Sequence, residues 1–385
     1  MRILLSCLQS PHRHPIPAYK FWEDYFKKGI EEAGHEWIEV KDVDWAEGLV
    51  YSDTKRLQEW RNFTWETTIK YIKKQQEIKA IDLFLSYLFP QQINSDAIKH
   101  IQSLGIPCVN FFCDNVREFT QIPNEFCCFD LHWVPEFKAL KMYQQANLKY
   151  LYAPMPVWIP YHQRSYKHSE NYGVSFIGSR DVQREALLAQ VLSFVPVEIR
   201  GSGWDNTPSS SSISSVPQHQ SFWQTGLNQW KFISHQGTLA WLRKLKSKSI
   251  PRIANDTFTN FVKQPPNADE YTAIIQQSII TLGINRYPSY RYPFYKPDTY
   301  SRMRDIEAPM MGACYLTEWT EGLEHLYELG EEIETYRNVD DMVEKIQYLI
   351  KSPDVRQKLR YNGQKRALSE HTVPHSISKI CRAIT

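Results

Sequence analysis

The first half of this chain alternates short apolar runs with amphipathic segments joined by brief links, and that rhythm limits its fold more than any other feature. Ile3 to Cys7 is followed by helical spacing from Tyr19 to Ala33, closed by Gly34-His35, and then by the strand-like Glu36 to Val40. Gly34 is a natural helix C-cap. A polar helical region from Leu57 to Ile78 leads to Asp82 to Tyr87 (DLFLSY), a helix from Ser95 to Leu104 closed by Gly105, and the run Cys108 to Cys113 (CVNFFC). Phe129 to Val134 and Tyr150 to Ala153 add two more strand candidates. Strand, helix and strand recurring with short links predict an α/β fold, a parallel sheet covered by helices. In such sheets ligands gather at the carboxyl ends of the strands.

At 385 residues the chain is too long for one ordinary core and fits about two domains. Hydrophobic residues at 42% and charged ones at 23% are globular proportions, and aromatics at 14% supply flat side chains for pockets. A net charge of +2 makes no demand for nucleic acid, and none is expected as a partner. The basic run Arg243 to Lys248 (RKLKSK) reads as a solvated helix face. The opening MRILLSCLQSPHRHP has too short an apolar run for a secretory signal and reads as a first strand. No window reaches the roughly 18 apolar residues of a membrane span, so a soluble chain is expected, with peripheral membrane contact left open. The seven cysteines include no C-x-x-C pair, and Cys7, Cys108, Cys113 and Cys314 fall in apolar runs where a thiol acts as a small hydrophobe. That usage fits a reducing cytoplasm, where the glycosylation patterns at Asn62 and Asn255 carry little weight.

Prolines cluster from Pro154 to Pro160, followed by polar sequence, and mark a domain boundary. The expected domains are 1–155 and 172–370, with 371–385 a C-terminal helix packing back on the first lobe. In the second, Val174 to Ile177 reads as a strand, Gly178-Ser179-Arg180 as a tight turn and Val182 to Leu192 as a helix. Helix-start N–H groups favour anions, and Arg180 or Arg184 adds charge there. Val195 to Arg200 reads as the next strand, leading to Gly201-Ser202-Gly203. Asn206 stands where a dinucleotide fingerprint needs its third glycine, which disfavours a dehydrogenase. The serine-rich stretch 206–220 reads as a loop without assigned chemistry. A helical segment near Tyr271 leads into the strand Ser278 to Ile284, which ends in Asn285-Arg286. The tyrosine-rich loop between Arg286 and Arg304 suits either a stacking wall or plain surface packing.

The segment Arg304 to Gly330 then joins a charged helix start to a buried strand. If helical, Arg304 and Glu307 share a face while Ala308, Met310 and Met311 pack inward. Gly312 breaks the helix, and Ala313 to Thr317 reads as a short buried strand. A guanidinium fork suits phosphate oxygens, and a carboxylate suits a pair of sugar hydroxyls. The plainer alternative is a surface ion pair contributing a few tenths of a kcal/mol.

From Gly173 onward the chain resembles the C-terminal half of GT-B glycosyltransferases, particularly the bacterial group related to the spore protein CgeB, with a glycosyltransferase family 1 type domain. The resemblance rests on VSFIGSR (from Val174), IRGSGW (from Ile199), SIITLGINR (from Ser278), RDIEAPMMGACYLTE (from Arg304), GLEHLYELGEEIETY (from Gly322) and the tail Glu370-His371-Thr372, in that order. It implies two Rossmann-like lobes with parallel sheets facing across a cleft, and a hexosyl transfer from a nucleoside-diphosphate sugar to a glycan, lipid-linked or protein hydroxyl. By the same resemblance Gly178 and Arg180 belong to the phosphate loop, Arg304 to the diphosphate and Glu307 to the ribose. Asn285 and Arg286, with Thr317 and Glu318, end strands on the donor side. No cofactor or metal is implied, since helix dipoles and basic side chains stabilise the leaving diphosphate. Asp42-Val43-Asp44 mimics a metal-binding D-x-D but reads as a loop in the wrong lobe.

Retaining GT-B enzymes often carry a second glutamate where this chain has Thr299. An inverting displacement needs a general base from the first lobe, and His12, His14 and Asp114 are candidates. Asp114 is slightly favoured because it follows a strand end, with His12 next. The alternatives are a GT-B scaffold whose chemistry has decayed and a nucleic-acid binder using the basic run and the tyrosine-rich loop.

Overall fold

A computed structural model describes residues 1–12, 14, 19–51, 53–165, 169–204, 253–287 and 296–384. The serine-rich stretch, the basic run 243–248 and residues 288–295 of the tyrosine-rich loop lie outside the described residues. The chain divides into two compact units, one formed by Met1–Ile159 with Leu368–Thr385 and the other by Pro160–Ala367.

The first unit is built on strands β1 (Arg2–Ser6), β2 (Glu36–Ile38), β3 (Leu83–Ser86), β4 (Cys108–Phe111), β5 (Leu131–Val134) and β6 (Tyr150–Tyr152), with helices α1 (Tyr19–Glu32), α2 (Thr54–Ile78), α3 (Ser95–Ser103), α4 (Asn115–Glu118) and α5 (Leu140–Gln145). The six strands pair in the order β2-β1-β3-β4-β5-β6, all parallel. The four inner strands are buried at every position whereas the edges β2 and β6 are not, which is why the inner ones read as mostly apolar runs. Side chains over the sheet are largely aromatic, Phe26 sitting edge-on to Phe111 and Trp133 with ring centres 5.6 and 5.9 Å away.

The second unit carries β7 (Tyr172–Ile177), β8 (Glu198–Arg200), β9 (Val262–Lys263), β10 (Ser278–Gly283), β11 (Tyr315–Glu318) and β12 (Glu334–Tyr336), with helices α6 (Val182–Val191), α7 (Ala268–Gln277), α8 (Arg304–Met310), α9 (Val339–Lys351) and α10 (Pro353–Glu370). Its order is β12-β11-β10-β7-β8-β9, again all parallel. Two strands, β9 and β12, have no counterpart in the sequence reading. Each has only two or three residues at a sheet edge, too few to show a period.

Strand order turns around between β7 and β10 in the second unit and between β1 and β3 in the first. At such a switch point neighbouring loops depart to opposite faces and leave a crevice outside the carboxyl ends. The last helix, α11 (Val373–Ile384), belongs to the first unit and packs on α1. Gly29 permits the approach, because a Cβ there would lie 2.3 Å from a methyl of Val373.

Candidate active site

In the second unit the segments leaving β7, β8, β10 and β11 bring most of the anticipated donor-side residues to one edge of the sheet. The turn after β7 is fixed by backbone bonds to the turn after β8. Gly178 N–H donates to the Arg200 carbonyl at 2.8 Å, Arg180 N–H to Ser202 at 2.9 Å, and Trp204 Nε1 to the Gly178 carbonyl at 2.8 Å. Gly201 completes the staple with φ +135°, and a Cβ there would sit 2.4 Å from the Gly178 oxygen.

Arg180 does not serve this turn as a phosphate-loop cation; its guanidinium is spent inside the fold. Nε bonds Glu185 at 2.6 Å, Nη2 the Ile253 carbonyl at 2.6 Å, and Nη1 the Asn255 side chain. The group also lies over the rings of Trp204 and Phe258, with only 6% of the side chain exposed. The start of α6 is likewise occupied, since Asp181 accepts from the N–H groups of Gln183 and Arg184 at 2.9 and 3.0 Å. Arg184 is the cation placed over the turn: Nη1 donates to the Ser179 carbonyl at 2.8 Å and Nε lies 3.2 Å from Asp181. Burial lowers the Arg184 pKa; Asp181 opposes this, whereas the charges of Arg302 and Arg304 push the same way. The charges of Arg302 and Arg304 thus act on Arg184, and an anion set among such guanidiniums relieves that repulsion.

Helix α8 holds Arg304 and Glu307 one turn apart. Glu307 is 4% exposed, accepts from Tyr271 O–H, and lies 3.9 Å from Arg304 Nε. Arg304 stacks over the Tyr271 ring at 5.2 Å and keeps 24% of its side chain exposed. The pair is thus buried against α7 rather than lying on the surface. Ala308, Met310 and Met311 are buried beneath it, and Gly312 ends the helix at φ +80°.

The remaining anticipated residues divide into frame and face. Asn285 donates to Thr317 Oγ1 at 3.2 Å and the Glu318 carbonyl at 2.8 Å, while Thr317 donates to Asp305 at 3.0 Å. Thr317 is fully buried and Asn285 is 1% exposed, so both tie β10, β11 and α8 together and neither side chain is presented to a donor. Glu318 accepts from Arg286 Nε through both oxygens, at 2.8 and 3.1 Å. Burial raises the Glu318 pKa, and Arg286 pulls it back. Arg302 donates to the Arg286 carbonyl at 3.0 Å. Asp305, Tyr271 and Arg302 were missed in the sequence because their partners are distant in the chain. The i,i+4 spacing of Arg180 and Arg184 gave no hint of which one turns inward.

In the first unit, Asp114 follows β4, is 25% exposed, and lies 3.9 Å from Arg117 Nη1. The adjacent Asn115 is anchored below it: its N–H donates to Glu136 at 2.7 Å, its amide to the Phe112 carbonyl at 2.9 Å, and its oxygen accepts from Tyr143 O–H at 2.8 Å. Burial lifts Glu136 from the ordinary 4.5 to about 8, the bonds from Asn115 opposing and Asp114 adding to the rise. Such a group binds its proton more tightly when folded. Its contribution is therefore fully present below about 4.5 and is lost as pH rises through about 8. Glu136→Gln keeps the acceptor for Asn115 without the charge, so urea unfolding should find it more stable than wild type at pH 9 by on the order of a few kcal/mol. At pH 4 the two should be nearly equal. His12 is exposed and uses its backbone N–H and carbonyl to bond Ser10 Oγ, at 3.0 and 2.9 Å. The imidazole shown against a carboxylate is that of His14.

The model of a family described as glycosyl transferase-like matches residues 183–382, just over half of the chain. This chain belongs to the glycosyl transferase-like family. It is a glycosyltransferase, and its two parallel six-stranded sheets have the GT-B fold. A glycosyltransferase from Rickettsia africae is similar at TM-score 0.58 and 11% identity, over 100% of this chain and 97% of that one. HepE from Anabaena, solved in complex with UDP, gives 0.55 and 12%, over 99% of each chain. Sucrose-phosphate synthase from Thermosynechococcus elongatus gives 0.54 and 12%, over 99% of this chain and 98% of that one. At such identities the likeness speaks for fold alone. No curated protein matches the chain.

Proposed function

We propose that this glycosyltransferase moves a sugar from a nucleoside-diphosphate sugar onto a hydroxyl of a glycan, lipid-linked or protein acceptor, without a bound metal ion. One observation carries the reading: Arg304 and Glu307 face one another on α8 at 3.9 Å, while Arg184, set over the turn after β7, feels the charges of Arg302 and Arg304. The guanidiniums suit the diphosphate and take up its charge as it leaves. Glu307, an acceptor of hydrogen bonds, suits the ribose hydroxyls. Gly178 lets the turn approach phosphate, and the Arg286–Glu318 pair is assigned to the donor sugar or diphosphate. HepE was solved with UDP, which supports a nucleoside diphosphate as the ligand class.

A cytoplasmic location belongs to the same proposal. All seven cysteines are free, as in reducing compartments, and no described helix is long and apolar enough to cross a membrane. Peripheral contact with a membrane carrying a lipid-linked acceptor is compatible with this. A thermal-shift screen of nucleoside diphosphates and their sugars tests the donor class, because a ligand that binds only the native state at about 100 times its Kd adds roughly 2.7 kcal/mol. At least one should raise Tm, and a flat response to all of them would refute the donor site.

A further inference from the structure

The two residues of α8 assigned to the donor are both held by a side chain from another helix. Tyr271 stands in the first turn of α7, where its N–H donates to the Asn267 carbonyl at 2.9 Å. A capping box closes that turn, the Asn267 side chain accepting from Glu270 N–H and the Glu270 carboxylate from Asn267 N–H, each at 3.0 Å. The far end of α7 is tied as well, since Arg360 Nη1 donates to the Gln276 carbonyl at 2.8 Å. From this fixed helix Tyr271 reaches α8 twice. Its O–H donates to Glu307 Oε2, and the Arg304 guanidinium lies over its ring at 5.2 Å. The same carboxylate oxygen is 3.9 Å from Arg304 Nε, well beyond the roughly 2.7–2.9 Å of a charge-assisted hydrogen bond. An Arg and a Glu three apart on a helix are close enough to pair directly, so this spacing needs a cause.

Tyr271 supplies one. Burial raises its pKa well above the ordinary 10; the Arg304 charge opposes the rise, whereas Glu307 adds to it by its charge and its hydrogen bond. The phenol therefore keeps its proton and donates it to a carboxylate that can only accept, while the ring gives the guanidinium a π-face. We propose that Tyr271 is a positioning residue of the donor site, its O–H turning the Glu307 carboxylate to the ribose hydroxyls and its ring seating the Arg304 guanidinium for the diphosphate; this rests on the transferase reading above. Tyr271 acts through these two partners. By engaging each of them it keeps opposite charges on one helix from closing on each other, so a ligand meets a cation and an acceptor already set apart, and less of its binding energy goes into ordering them.

Calorimetry on the full chain with UDP, GDP and ADP, each beside its 2′,3′-dideoxy counterpart, tests this. Wild type should prefer the ribose form of its best ligand by about tenfold or more, because a site built to hydrogen-bond hydroxyls rejects the analogue that lacks them. Tyr271→Phe keeps the ring under Arg304 and removes only the O–H. It should weaken the ribose form about three- to tenfold, the scale of one hydrogen bond, and the dideoxy form less than about twofold. In a Glu307→Ala background the same change should alter affinity less than about twofold, since both residues act through one contact. Tyr271→Leu removes the ring too and should weaken both forms. Unchanged affinity in Tyr271→Phe, an equal loss for ribose and dideoxy forms, or an undiminished loss in the Glu307→Ala background would each overturn the positioning role while leaving the transferase reading intact. A wild type that binds none of the three diphosphates would defeat that reading, and the role of Tyr271 with it.

Discussion

Glu307→Ala is expected to weaken nucleoside diphosphate binding by about 10- to 100-fold. A hydrogen bond to a charged group contributes roughly 1.5–3 kcal/mol, and each 1.4 kcal/mol is a factor of ten in affinity. The loss should appear in the calorimetric Kd with the fold retained, because Glu307 borders the site and no described strand depends on it. Its partners include Tyr271 O–H and Arg304, the latter 24% exposed and able to turn to ligand once the carboxylate is gone. Arg304→Ala should show a comparable loss, with one distinguishing feature. Removing a cation from the Arg184, Arg302 and Arg304 group weakens the salt dependence of diphosphate binding, whereas removing Glu307 does not. Unchanged affinity in Glu307→Ala would take this carboxylate out of the donor site.

The largest effect on stability is expected for Arg360→Met in α10. Arg360 is 1% exposed, and its Nη1 donates to the carbonyls of Gln276 and Gly312 at 2.8 and 3.1 Å. Its Nη2 reaches the Ser278 carbonyl and lies 3.4 Å from Glu170. One guanidinium thus satisfies carbonyls at the end of α7, the start of β10 and the turn that closes α8. Methionine fills comparable space but leaves those carbonyls buried without donors. The cost should be about 3–5 kcal/mol, the scale of breaking a buried charged network from one side. Urea unfolding of the whole chain measures it, and a change below about 1 kcal/mol would mean that water replaces the guanidinium. Arg360→Lys should recover little, since an ammonium cannot fork to three carbonyls.

The layout of the chain was readable wherever burial left a period in the sequence. Inner strands such as Leu83–Ser86 and Cys108–Phe111 are enclosed on both faces, so their mostly apolar side chains made them visible, with Ser86 and Asn110 as hydrogen-bonded exceptions. Helix α8 was legible for the complementary reason: its charged start, its apolar row and its terminating Gly312 are all local signals. What could not be read was the direction in which a polar side chain turns. Local sequence allowed Arg180 or Arg184 at the phosphate turn and the resemblance favoured Arg180, but Trp204, Phe258 and Asn255, all far along the chain, draw Arg180 inside. Thr317 was likewise assigned to the donor side at a strand end, yet its hydroxyl bonds Asp305 and accepts from Asn285 inside the fold. The pairing of His14 with Asp44 spans two loops and has no periodic trace at all.

The most direct test of the account is turnover. Purified protein is incubated with a panel of nucleoside-diphosphate sugars and candidate hydroxyl acceptors, and released nucleoside diphosphate is measured with and without a metal chelator. Sustained release from at least one donor, undiminished by the chelator and slowed about 5- to 50-fold by Glu307→Ala at a donor concentration near the wild-type KM, is the predicted result. Absence of release from every donor, in a protein that also fails to bind any nucleoside diphosphate, would contradict it.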